Sequence, residues 1–371
     1  MVASRLIERL DGAIGAASEP LQREYLKAER AGAIARLGLL SDARFALGGL
    51  RTQNQRHKDP LLSAWIHLVD GQIDHFDTIA PKAIDKFQRA LELGESAGNV
   101  HMQALASAWL ANCAFNASDT PAMTRHVATA LTLAEPDQHA ARARVGLVLA
   151  DAYRCSGDDI NSQTWYLRAR AHASADGDSS MISAMLHNIS AMRSGQIALA
   201  DAFGRADIEQ ARKALLEAES TANYDWGTGV ASLSAMVPVT RAQLLVALSR
   251  FEEAARLFDE HLDRARQEGM AHREARLLAD RAWCHVRLGR VSQALADTRA
   301  AEAGVQGQTD ADDRAAAYAR LARIHRHGGR EGVADTLQTQ ADQALAEHEA
   351  EQARTREALD HTLVGLGQYE K

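Results

Sequence analysis

The densest concentration of possible chemistry lies near the C-terminal end, where Arg320, Arg323, Arg326, His327 and Arg330 fall within eleven residues. Spacings of three and four would gather Arg320, Arg323, His327 and Arg330 on one helix side, since residues so spaced are helix neighbours. Guanidinium groups in such a row can make paired hydrogen bonds to a carboxylate or phosphate. The ordinary alternative is a solvated or salt-bridged face, with Asp310, Asp312 and Asp313 neutralising part of the row across neighbouring helices. Trp283 and Arg287 sit four apart in the preceding segment and extend the same interest upstream. His325-Arg-His327 suggests a metal pair only until helix geometry is applied, because residues i and i+2 point apart. Cys284-His285 fits one helix of a packed array and reads as a buried structural pair.

No catalytic constellation emerges. Gly12-Ala-Ile-Gly15 lacks the third glycine of a dinucleotide loop and lies in a helical pattern. A Walker lysine loop, HExxH, paired CxxC and a nucleophile elbow are all missing from the sequence. The residues therefore point to binding rather than turnover, with no cofactor or metal. Asn112 and Asn116, four apart, would present two amides on one helix face. Each offers donor and acceptor together and could clasp the backbone of an extended peptide. Exposed spacers are the plainer reading. Tyr224 and Trp226 could form an aromatic pocket wall, against packing beneath a loop.

Such groups need elements to hold them, and composition says which. Apolar residues make up 46% and charged residues 25% of 371, as in an ordinary globular chain. Ala, Leu, Arg, Glu and Gln abound, and these favour helix; period-two runs of β-branched and aromatic residues are lacking. A net charge of −7 argues against general nucleic-acid binding, which needs basic surface. The least polar stretch, Gly229 to Thr240, is about half a membrane span and runs into Arg241. The N-terminus reads as an amphipathic helix rather than a secretion signal. Three scattered cysteines, Cys113, Cys155 and Cys284, suit a reduced, cytoplasmic, structural role.

The organising signal is periodic. A small residue, a larger one four positions on and a small one three further recur at Ala83/Phe87/Ala90, Ser162/Tyr166/Ala169 and Ala211/Leu215/Ala218. Weaker copies begin at Ala43, at Ala122 or Met123, and at Ala254, Ala294 and Ala334. Most intervals are close to 40 residues; those on either side of Ala211 are 49 and 43. Small residues let a neighbouring helix approach, while the large one fills the space between layers. Each anchor follows a turn signal such as Ser156-Gly157-Asp158 and, before it, another amphipathic helix.

These residues resemble the tetratricopeptide repeat family, whose second helix carries the same small–aromatic–small spacing, and whose turn and first-helix Tyr153 position also match. The unit departs from the standard repeat of about 34 residues. It is similar to longer variants in bacterial signalling and transcription regulators. The resemblance implies an all-α fold, an α-α superhelix of about eight stacked antiparallel helix pairs, serving protein–protein interaction. It also implies that first helices line a concave groove. Counting back from the anchors places Gln72, His75, Asn112, Asn116, Asp151, Arg154, Asn188, Trp283, Arg287, Arg323 and His327 on or near it.

The expected organisation is a first stack over 1–177, a second over 178–345 opening on a long helix from Ser179 to Phe203, and a polar segment over 346–371. A loop is expected over Asn223–Gly229. From His348 to Ala358 no large apolar side chain occurs, which predicts a protruding C-terminal helix. Leu359, Leu363 and Leu366 could then pair two chains or fold back on the body. The tail also resembles connectors to GGDEF diguanylate cyclase domains. Two readings follow: a module holding a peptide or partner protein in its groove, or a sensory region for a small anionic ligand.

Overall fold

The computed structural model describes residues 4–78, 82–228 and 236–366. All their regular structure is helical: seventeen α-helices and two single 3-10 turns, Met270–Arg273 and Val305–Gly307. The helices are α1 Arg5–Ala16, α2 Pro20–Arg36, α3 Leu40–His57, α4 Pro60–Thr78, α5 Lys82–Ser96 and α6 Val100–Asn116. Then come α7 Thr120–Leu133, α8 His139–Cys155, α9 Asp159–Asp176, α10 Ser179–Ala202, α11 Ile208–Thr228 and α12 Met236–Ala247. The chain closes with α13 Phe251–Gln267, α14 Glu274–Arg287, α15 Val291–Gly304, α16 Ala311–His327 and α17 Glu331–Leu366.

After α1, the helices form consecutive pairs, and the small–large–small positions lie on the second helix of each. Ala43, Ala83, Ser162, Ala211, Ala254, Ala294 and Ala334 are all buried. The uncertain register near 122 resolves to Met123, Val127 and Ala130, all buried. This is the close helix–helix seam that the spacing predicts. The seam leaves no slack: a Cβ added at Gly146 of α8 would sit 3.1 Å from the Cβ of Ala169 on α9. Turns between helices are capped locally. Gly157 adopts the left-handed conformation (φ 76°) that a side chain disfavours, and the Asp158 carboxylate then accepts the Asn161 N–H at 3.0 Å.

The chain divides into two compact units. The first comprises residues 1–186, 224–232 and 353–371; the second comprises 187–223 and 233–352. In the first, successive first helices touch one another, α2 with α4, α4 with α6 and α6 with α8, and so form a continuous layer. In the second, α12 meets α14 and α14 meets α16 in the same manner.

Two local expectations need correction. Residues 223–228 are helical as the end of α11, not a loop. A helical glycine costs about 1 kcal/mol relative to alanine, too little to end a helix that tertiary contacts hold. Here Ser183 donates to the Asp225 carboxylate at 2.5 Å and ties the segment down. Gly229 and the Trp226 side chain lie outside the described residues, so the aromatic-wall reading cannot be placed. The tail also differs. Residues 348–358 have no buried side chain, as their polarity predicts. Beyond them, however, α17 is docked on the first unit rather than protruding. Leu359 is 0% exposed, Arg356 donates to the Ser156 carbonyl, and the Tyr153 hydroxyl meets Asp360 at 3.1 Å. Leu359 is thus spent within the chain and is not free to pair two copies. Among the described residues no helix is long and apolar enough to cross a membrane.

Candidate functional site

In the second unit, the arginine row dissolves into internal pairing. Arg320 is 1% exposed; its Nε donates to Asp280 at 2.9 Å and its Nη2 to Asp201. It is a core ion pair, not an open arm for an anion. Arg323 donates to the Asp201 backbone carbonyl and lies 4.8 Å from the Trp283 ring centre. Arg287 flanks the same ring at 5.5 Å and is exposed, and exposed His327 meets its edge at 6.0 Å. Arg330 is not on the helix at all: α16 ends at His327, and Arg330 follows the Gly328-Gly329 turn. The three aspartates do not neutralise this row as expected. Asp313 instead holds Arg273, through contacts of 3.0 and 3.3 Å, and Arg276. Burial pushes the Asp313 carboxyl up, but the charges of Arg273 and Arg276 outweigh it and hold it down to about 2.

His272, Asp310 and Asp313 bring ligand atoms within 4.8 Å of one another, the spacing of a metal site. The donor set fits poorly, because the Asp313 carboxylate is already committed to two guanidiniums. His325 and His327 diverge as helix geometry requires: His325 is buried with its Nε2 2.5 Å from Glu302, and His327 faces outward. Cys284 and His285 are both buried, and burial raises the thiol and lowers the imidazole. Cys113 is buried too, its thiol pushed up to about 12, whereas Cys155 is exposed. Asn188 is half-buried on α10.

The first unit is built differently. Its centre is Trp109 on α6. Phe87 of α5 stacks on one side at 5.2 Å, inclined by 19°, and the Arg144 guanidinium of α8 lies 4.0 Å from the ring centre. His75 and Phe76 of α4 meet the ring edge-on at 5.4 and 5.9 Å. Burial and then the Arg144 charge push His75 down to about 3, so its imidazole is neutral at pH 7. Gly71 makes room for this stack: a Cβ there would lie 2.7 Å from the Phe87 ring.

Around this core the first-helix layer carries polar groups with spare hydrogen-bonding capacity. Gln72 is 2% exposed and its Oε1 is buried without a partner. Asn112 and exposed Asn116 make no side-chain hydrogen bond to the described residues, and both follow Trp109 along α6 at helical spacing. By contrast Asp151 accepts the Tyr166 hydroxyl, Arg154 is paired with Asp159 at 3.3 Å, and Arg36 is paired with Asp178 at 2.9 Å. Arg144 and Trp109 are missing from the sequence-derived candidates. The one available signal is that Arg144 interrupts an apolar run seven residues before Asp151, a two-turn spacing that shares its face.

No family model matches the sequence, and no curated protein matches it. Among solved structures, it is similar to a crystal structure of a Rap protein complexed with competence and sporulation factor. That likeness has 13% identity and a TM-score of 0.49, covering 93% of this chain and 92% of that one. A likeness of that degree assigns neither ligand nor partner to this chain.

Proposed function

We propose that the protein is a non-catalytic interaction module that holds an extended peptide or partner segment along the first-helix layer of its first unit. One observation supports this reading above the rest. The Gln72 Oε1 and Arg144 Nε are buried without a hydrogen-bond partner among the described residues, and the Asn112 and Asn116 side chains on the same layer make no hydrogen bond to those residues. Buried polar groups without partners cost stability, and a bound molecule that met them would recover part of that cost. The paired amides of Asn112 and Asn116 suit a peptide backbone, which alternates donors and acceptors. The sensory reading based on the Arg320 row loses its support, since Arg320 is committed to Asp201 and Asp280.

Affinity capture with the tagged full chain, run beside Asn112→Ala/Asn116→Ala, tests this. One or a few proteins enriched by the wild type and depleted at least several-fold by the double variant agree with it. No enrichment by the wild type, or equal enrichment by both, contradicts it.

A further inference from the structure

Arg144 departs from every other deeply buried arginine in the chain. Arg276 and Arg320 each meet an aspartate, whereas among the described residues no carboxylate lies within ion-pair distance of Arg144. It is 4% exposed, its Nε is buried without a partner, and its Nη groups carry no hydrogen bond to the described residues. Its neighbours do not supply the missing charge. Arg36 and Asp178 neutralise each other, and Asp151 is engaged by Tyr166.

We propose that Arg144 is the anchor for a carboxylate of the molecule bound at this layer, with Trp109 as the platform that aims it. This inference rests on the interaction reading above and names the chemistry recognised. With the guanidinium carbon 4.0 Å from the Trp109 ring centre and no hydrogen bond from either Nη to the described residues, both Nη groups are left for parallel hydrogen bonds to a planar anion. One unmatched positive charge, with Asp151 and Asp178 nearby, suits a singly charged carboxylate better than a phosphate dianion. The neutral His75 adds no second charge. Burial and the charge of Arg36 push Arg144 down only to about 10, so it stays protonated at pH 7. A peptide and a small organic acid both present this carboxylate; the chemistry at Arg144 is the same, and the test separates the two sources.

The full-length protein is compared with Arg144→Met, which keeps a similar volume over Trp109 without charge, and with Arg144→Lys. The first arm measures thermal midpoints in succinate, acetate and phosphate against sodium chloride at matched ionic strength. The second repeats the affinity capture with each variant. If a small acid is the source, succinate or acetate raises the wild-type midpoint, phosphate does so less, and both variants lose the effect. If a peptide is the source, capture falls at least tenfold in both variants. Either outcome supports the anchor. It is overturned if acids leave the wild type unmoved and capture either fails in the wild type or survives in Arg144→Met, if phosphate matches or exceeds succinate, or if Arg144→Met lowers the ligand-free midpoint, which would make Arg144 a structural residue. Failure of the interaction reading is separable, because it shows as wild type capturing nothing while the acid arm is read independently.

Discussion

Replacing Asp313 by alanine isolates the electrostatics that hold the second unit. Asp313 is 2% exposed and faces Arg276, itself 1% exposed, and Arg273. Arg276 reaches on to the Gly195 carbonyl at 2.7 Å, so the cluster joins α16, α14 and α10. Removing one partner of a buried ion pair leaves an uncompensated charge and costs about 3–5 kcal/mol. Urea unfolding at pH 7, followed by far-ultraviolet circular dichroism, should show a loss of that size. A triple replacement, Arg273→Met/Arg276→Met/Asp313→Leu, should recover most of it, because buried pairs are often no better than well-packed apolar groups. The acid limb supplies a second check. The folded Asp313 value is depressed, so its stabilisation is complete above the unfolded value of 3.8 and is lost as pH falls through about 2. At about 1.36 kcal/mol per unit, the advantage of wild type over Asp313→Ala should shrink by roughly 2 kcal/mol between about pH 5 and pH 2. A loss below about 1 kcal/mol at pH 7, or a difference indifferent to acid, would refute this reasoning.

Three further outcomes follow from the packing. Phe87→Ala should cost about 3–5 kcal/mol and shift tryptophan emission to the red, because Phe87 covers one face of Trp109; denaturation read by fluorescence checks both. Gly71→Ala should destabilise by about 1–3 kcal/mol through its collision with the Phe87 ring, measured in the same way. Leu359→Ala should cost about 2–5 kcal/mol while light scattering reports an unchanged mass, since Leu359 is buried within its own chain. A fall in mass for that variant would restore the leucines to an interface between copies.

Helix pairing was legible in the sequence because its cause is local and repeated. Ala83, Phe87 and Ala90 share one helix face, and the same geometry recurs wherever the spacing does. Caps were legible for the same reason, as Gly157 and Asp158 show. The helical end of α11 was not, because Gly227 signals a break that long-range contacts such as Ser183 with Asp225 override. Nor was the fate of the tail: the polar run over 348–358 says nothing about where Leu359 comes to rest. The Arg320 row misled for a related reason. Spacing gathers side chains on a face, but only the fold supplies Asp201, 119 residues away, as a partner. Arg144 shows the converse, since a missing partner can be recognised only when every neighbour is in place.

The central claim is that the first-helix layer of the first unit grips another molecule, and site-specific photocrosslinking tests it most directly. A photoreactive residue placed at Asn116 on α6 is compared in living cells with one at Leu167, an exposed apolar position on α9, the second helix of its pair. We predict a discrete crosslinked product from position 116 that is absent from 167 and disappears in the Asn112→Ala background. Crosslinks of equal yield at both positions, or a product from 167 alone, would contradict the account.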